Sequence, residues 1–95
     1  MPDEPNSQPE HVLRLYVTGA SQNSAKAIRN VKQICDTHLK DAYHLEIIDV
    51  YTQPEIAKEE QIVAVPMLVK SFPLPEKRLI GNMSDTEKVL KGLDL

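Results

Sequence analysis

Residues 12–17, Val12-Leu13-Arg14-Leu15-Tyr16-Val17, set Leu13, Leu15 and Val17 in alternation with Arg14 and Tyr16. That period of two is the signature of a strand. The segment after it constrains the chain most. Thr18-Gly19-Ala20-Ser21-Gln22-Asn23-Ser24 is a polar loop without a cysteine, and an amphipathic helix follows it. Further on, Val63-Ala64-Val65-Pro66-Met67-Leu68-Val69 is an apolar run interrupted by one proline.

Strand, polar loop, helix, strand and a later strand opened by proline is the order of a thioredoxin-like α/β domain. A redox member of that class carries Cys-x-x-Cys in the loop before its first helix. Here residues 18–24 hold no thiol. Thiol exchange needs an exposed thiolate, so the pattern points to a binding module and away from an oxidoreductase.

The chain has 95 residues, enough for one domain. A domain of this size buries somewhat over ~60% of the surface its unfolded chain exposes, so its core is small. With 4% aromatic residues and no Trp, that core must be built from Leu, Ile, Val and Ala. The net charge of −3 offers no field for nucleic acid or an anionic membrane surface. No apolar run approaches the ~18 residues of a membrane span. Residues 1–10 are acidic and proline-rich, unlike a signal peptide, and are expected to form a disordered leader to a domain over 11–95. A cytoplasmic location is expected.

The expected elements are a strand over about 11–18, a helix starting at Ser21 to Ser24, a largely buried strand over 44–50, a short helix over 54–61, a strand over 62–70, a strand followed by a turn over 77–82, and a last helix. Ser or Asn at 21–24 can cap the first helix. Its apolar positions Ile28, Val31, Ile34, Cys35 and Leu39 recur by threes and fours. Cys35 on that stripe reads as a buried small hydrophobe and not a reactive thiol. Lys26, Arg29 and Lys32 fall on another face, either solvated or partner-facing. A whole helix links the first two strands, so they should be parallel. Pro54 suits a helix start. Pro66 does not suit the interior of a strand. A cis Val65–Pro66 bond opening the third strand resolves that conflict. Residues 72–75, Phe-Pro-Leu-Pro, read as a stiff connector. Ser84-Asp85-Thr86-Glu87 has capping-box spacing for the last helix, with Ser84 as cap. The order is β-α-β-α-β-β-α around a four-stranded mixed sheet.

Chemistry-bearing patterns are weak. His11, His38 and His44 lack ligand spacing, and one cysteine builds neither a disulfide nor a zinc motif. Gly19, Gly81 and Gly92 are isolated, so no phosphate loop is present. Ser21 and Ser24 read as capping residues. Glu55, Glu59 and Glu60 read as a solvated face.

Several segments together resemble the KaiB family, small partners of the hexameric KaiC ATPase. They are Val12-Leu13-Arg14-Leu15-Tyr16-Val17-Thr18-Gly19, Asn23-Ser24, Ile48-Asp49-Val50 with Pro54 and Ala57, and the run over 79–95, LIGNMSDTEKVLKGLDL. The resemblance covers residues 11–95. Departures from the family pattern are Gln61 where lysine is usual, Pro73-Leu74-Pro75 in place of a triple proline, and Ser21-Gln22 in place of Thr-Pro. The resemblance implies a non-enzymatic, cofactor-free protein that docks on the N-terminal ATPase lobe of a KaiC-like hexamer, in a clock or a related stress or timing system. It implies contact residues Tyr51, Lys58, Gln61, Pro73, Pro75 and Lys77. It also implies a metamorphic alternative, in which the C-terminal half refolds and the chain forms a dimer or tetramer, with Pro66, Gly92 and Asp94 where the choice is made. A KaiA-like protein or a histidine kinase is a further implied partner. Competing readings are the thioredoxin-like sensor module of a clock-linked histidine kinase, and a thiol oxidoreductase.

Overall fold

The computed structural model describes residues 10–19, 21–40 and 42–95. The leader expected over 1–10 lies outside the described residues, apart from Glu10. The elements are β1 (His11–Val17), α1 (Gln22–His38), β2 (Tyr43–Asp49), α2 (Pro54–Glu59), β3 (Met67–Phe72), β4 (Lys77–Ile80) and α3 (Thr86–Gly92). The sheet order is β2-β1-β3-β4. β1 runs parallel to β2 and antiparallel to β3, and β4 is antiparallel to β3.

Both faces of the sheet are covered. Leu13, Leu15, Val17 and Leu68 pack on Ala27, Val31, Ile34 and Cys35 of α1 and on Val89 and Leu93 of the C-terminal region. The opposite face joins Tyr16, Ile48, Met67 and Val69 to Val50, Ile56, Ile62 and Val65. Tyr16 therefore does not alternate outwards with Arg14. It is fully buried, because α2 and the chain after it close over that side of β1. Full burial of an aliphatic side chain such as Leu13 or Leu15 contributes about 1.5–3 kcal/mol.

Helix α1 begins as its sequence requires, with the Ser21 hydroxyl accepting the Ser24 N–H at 2.9 Å. The remaining boundaries differ in instructive ways. β2 is an edge strand, so only Ile48 is fully buried and Ile47 is 37% exposed. The expectation of a largely buried second strand is corrected accordingly. α2 stops at Glu59. β3 starts at Met67, not at 62. Pro66 has no N–H to give the ladder, and its carbonyl instead accepts the Gly81 N–H at 3.0 Å. The expected cis Val65–Pro66 bond is present, as are cis bonds at Phe72–Pro73 and Leu74–Pro75. β4 ends at Ile80, in keeping with a strand followed by a turn over 77–82. Asp85, not Ser84, caps α3, accepting the Lys88 N–H at 3.2 Å. Glu87 then sits one place too early to complete a capping box.

Each helix closes on a residue with positive φ that is not glycine: Lys40 (52°), Gln61 (57°) and Asp94 (60°). After α2, Ile62 N–H reaches Ala57 O at 2.9 Å and Gln61 N–H reaches Lys58 O at 3.2 Å. After α3, Leu95 N–H reaches Leu90 O at 2.9 Å and Asp94 N–H reaches Lys91 O at 3.2 Å. These are Schellman closures, which satisfy the last helical carbonyls but prefer glycine at the left-handed position.

Candidate functional site: the outer face of α2 and the β3–β4 hairpin

The loop between β1 and α1 is occupied by structural hydrogen bonds. Ser24 is buried, and its hydroxyl accepts the Thr18 N–H at 3.0 Å. Ser21 N–H donates to Thr18 O at 3.1 Å. Gly19 is packed so closely that a Cβ would overlap the Asp49 carboxylate. Among the described residues, the loop shows no nucleophile with a base beside it. Cys35 lies inside α1, and burial, aided by the charge of Asp36, pushes its thiol up to about 11. Near neutral pH it is a protonated thiol with no route to solvent, which is the opposite of a reactive cysteine.

The surface around α2 is open. Asp49 builds the turn that follows β2: its side chain accepts the Tyr51 N–H at 2.8 Å and its carbonyl accepts the Thr52 and Gln53 N–H groups. Tyr51 consequently points outwards, 80% exposed. Lys58 is exposed on α2, and Gln61 is exposed at the left-handed position that ends it. Beside them Val50, Ala57, Ile62, Val63, Ala64 and Val65 line a shallow apolar depression. Val63 is 88% exposed.

The β3–β4 hairpin carries the other three contact candidates. Pro73 is half-buried and Pro75 exposed. Lys77 pairs with Asp94 at 3.4 Å. Phe72 and Leu74, 50% and 76% exposed, project from the same segment. The six candidates do not form one patch. Tyr51 follows the end of β2 that lies beside Val17, whereas Phe72 lies opposite Val12 at the far end of β1. Seven residues of strand separate the two ends, roughly 20 Å. Lys58 and Gln61 sit on α2 and its C-terminal closure.

Pro66 is buried at the entrance to β3. Gly92 is the last residue of α3, and a Cβ there would overlap the Leu79 side chain. Asp94 joins the two sets of candidates through its pair with Lys77. Sequence reasoning missed Val63 because it fell inside the strand expected over 62–70, and missed Phe72 and Leu74 because the connector was singled out for its prolines alone. Only the three-dimensional arrangement shows them turned outwards. Lys26, Arg29 and Lys32 are all exposed on α1.

Residues 14–95 match the model of the KaiB domain family. The circadian clock protein KaiB3 of Synechocystis is 55% identical over 84 residues, covering 88% of this chain and 82% of that one. The circadian clock oscillator protein KaiB of Synechococcus elongatus is 46% identical over 85 residues, covering 90% and 83%. Among solved structures, the N-terminal domain of Synechococcus elongatus SasA aligns with a TM-score of 0.73 at 23% identity, over 99% of this chain and 91% of that domain. Mitochondrial thioredoxin 3 of Saccharomyces cerevisiae aligns with a TM-score of 0.73 at 18% identity, over 95% and 83%. At these identities the structural likenesses establish the thioredoxin-like fold alone. The family match spans every candidate residue and, apart from Leu13, both cores, and the chain belongs to the KaiB family.

Proposed function

We propose that this chain is a non-enzymatic regulator that docks on the N-terminal ATPase lobe of a KaiC-type hexamer, in a circadian clock or a related timing system. The observation that carries the reading is membership of the KaiB family over residues 14–95. The cysteine-free loop and the buried Cys35 favour binding over thiol chemistry. The contact surface in this reading comprises Tyr51, Lys58 and Gln61 around α2, and Pro73, Pro75 and Lys77 in the hairpin. In this reading the domain spans 11–95, and the chain acts in the cytoplasm. A KaiA-like protein or a histidine kinase shares the assembly. The free chain also populates a refolded dimer or tetramer, with Pro66, Gly92 and Asp94 at the segments that change.

Size-exclusion chromatography with light scattering tests this, using the chain alone and with a KaiC-type hexamer plus ATP. Co-elution with the hexamer is expected. Lys58→Glu should weaken co-elution, more so at low salt, without changing the circular dichroism of the free chain. Absence of any complex for the wild-type chain at tens of micromolar would sink the reading.

A further inference from the structure

β3 carries a side chain that burial ought to disfavour. Lys70 is 2% exposed, and it is the only charged residue so deeply buried among the described residues. Removing an ammonium from water is strongly unfavourable unless acceptors replace the lost hydration. The Lys70 ammonium has three donors. Among the described residues it finds one acceptor, the carbonyl of Pro73 at 2.8 Å. The register also sets Lys70 directly opposite Lys77 of β4, a like-charge pair that opposes strand pairing. Lys77 escapes by turning to Asp94. Lys70 stays inside, beside the fully buried Leu13 of β1. An apolar side chain would suit that position better as core.

What the ammonium gains is a grip on one backbone atom of the 72–75 connector. Pro73 and Pro75 have no N–H, so the connector cannot fasten itself as an ordinary hairpin turn does. Among the described residues no backbone turn bond closes 73–76. The Lys70–Pro73 bond supplies that missing fastening from below, while Phe72 and Leu74 stay exposed above.

We propose that Lys70 is a positioning residue: it holds the connector in the shape that presents Phe72 and Leu74 to the protein partner, at a cost to the stability of the fold. The inference rests on the docking reading in one respect, that the connector belongs to the contact surface.

The test compares wild type with Lys70→Met, which keeps a long apolar stem and removes the donor. Three readouts are taken on the full chain: the urea midpoint, backbone NMR order parameters at Leu74 and Glu76, and affinity for a KaiC-type hexamer with ATP. The midpoint should stay level or rise. The order parameters at the two amides should fall from about 0.85 towards 0.6, and affinity should fall about tenfold, as a lost buried hydrogen bond allows. Leu74→Ser in both backgrounds gives a double-mutant cycle, and the two affinity losses should be less than additive. A midpoint that falls in step with affinity overturns the proposal, because Lys70 is then merely structural. Unchanged order parameters, or fully additive losses, overturn it too. A wild-type chain that binds no hexamer overturns the docking reading and not the tether, which order parameters and midpoint decide by themselves.

Discussion

The β1-α1-β2 half and the half running from α2 to α3 are built to different standards. α1 is 17 residues long, capped by Ser21, and buries Ser24, Ala27, Val31, Ile34 and Cys35. α2 has six residues and buries none of them fully, and α3 has seven and buries only Val89. Isolated helices of that length are not stable in water. The second half therefore depends on the first for its structure, through Ile56, Ile62 and Val65 on one face and Val89 and Leu93 on the other. A segment held mainly by such contacts opens more easily than one held by its own periodicity and caps.

The comparison is sharpest where the core of the first half is cut. Leu15→Ala removes a fully buried side chain from β1 and should destabilise the whole chain by about 2–5 kcal/mol. Ile56→Ala in α2 removes a partly buried one and should cost clearly less. Urea unfolding of both variants checks this, and equal losses would erase the distinction. Next in size is a pH effect confined to the first half. Folding raises the Cys35 thiol to about 11, so the native state holds its proton where the unfolded chain has released it. That contribution is complete below pH 9 and is lost as pH rises from 9 towards about 11. The urea midpoint of wild type should fall through that window by more than the midpoint of Cys35→Ala, which lacks the group.

Within the second half, Gly92→Ala sets two effects against each other. Ala is favoured over Gly inside a helix by about 1 kcal/mol, but its methyl group overlaps Leu79. In a Leu79→Ala background only the gain remains, so the two substitutions should couple by about 0.5–1 kcal/mol in a double-mutant cycle. Additive values would mean that Leu79 moves aside freely. The smallest expected effect is at the end of α2. Gln61→Gly relieves a left-handed backbone and should stabilise by about 0.5–1 kcal/mol. Thermal melts resolve a change of that size. No gain would mean that the Gln61 side chain makes contacts in solution that offset the strain.

The same division governs what the sequence revealed. β1, α1, its Ser21 cap and the parallel β2 were legible because alternation, three-four spacing and capping chemistry are local signals. In the second half, local signals misled. Residues 62–66 are as apolar as a strand, yet they form loop because Pro66 cannot join the ladder and Gln61 turns the chain. Ser84 and Glu87 had capping-box spacing, yet Asp85 took the cap. For the candidate site, Tyr51 and Lys58 were named through the family resemblance, and their exposure is visible only in the folded chain. The outward turn of Val63, Phe72 and Leu74 and the burial of Lys70 depend on which residues the tertiary fold leaves uncovered, which no window of sequence encodes.

The contact between Gly19 and Asp49 binds two surface loops into one mechanical unit. A side chain at position 19 would press on one oxygen of the Asp49 carboxylate, while the other oxygen holds the backbone of Tyr51. The carboxylate cannot swing clear without releasing the turn that aims the Tyr51 ring. The two loops are 30 residues apart along the chain, yet they cannot drift independently: enlarging the first is felt as a re-aiming of the second.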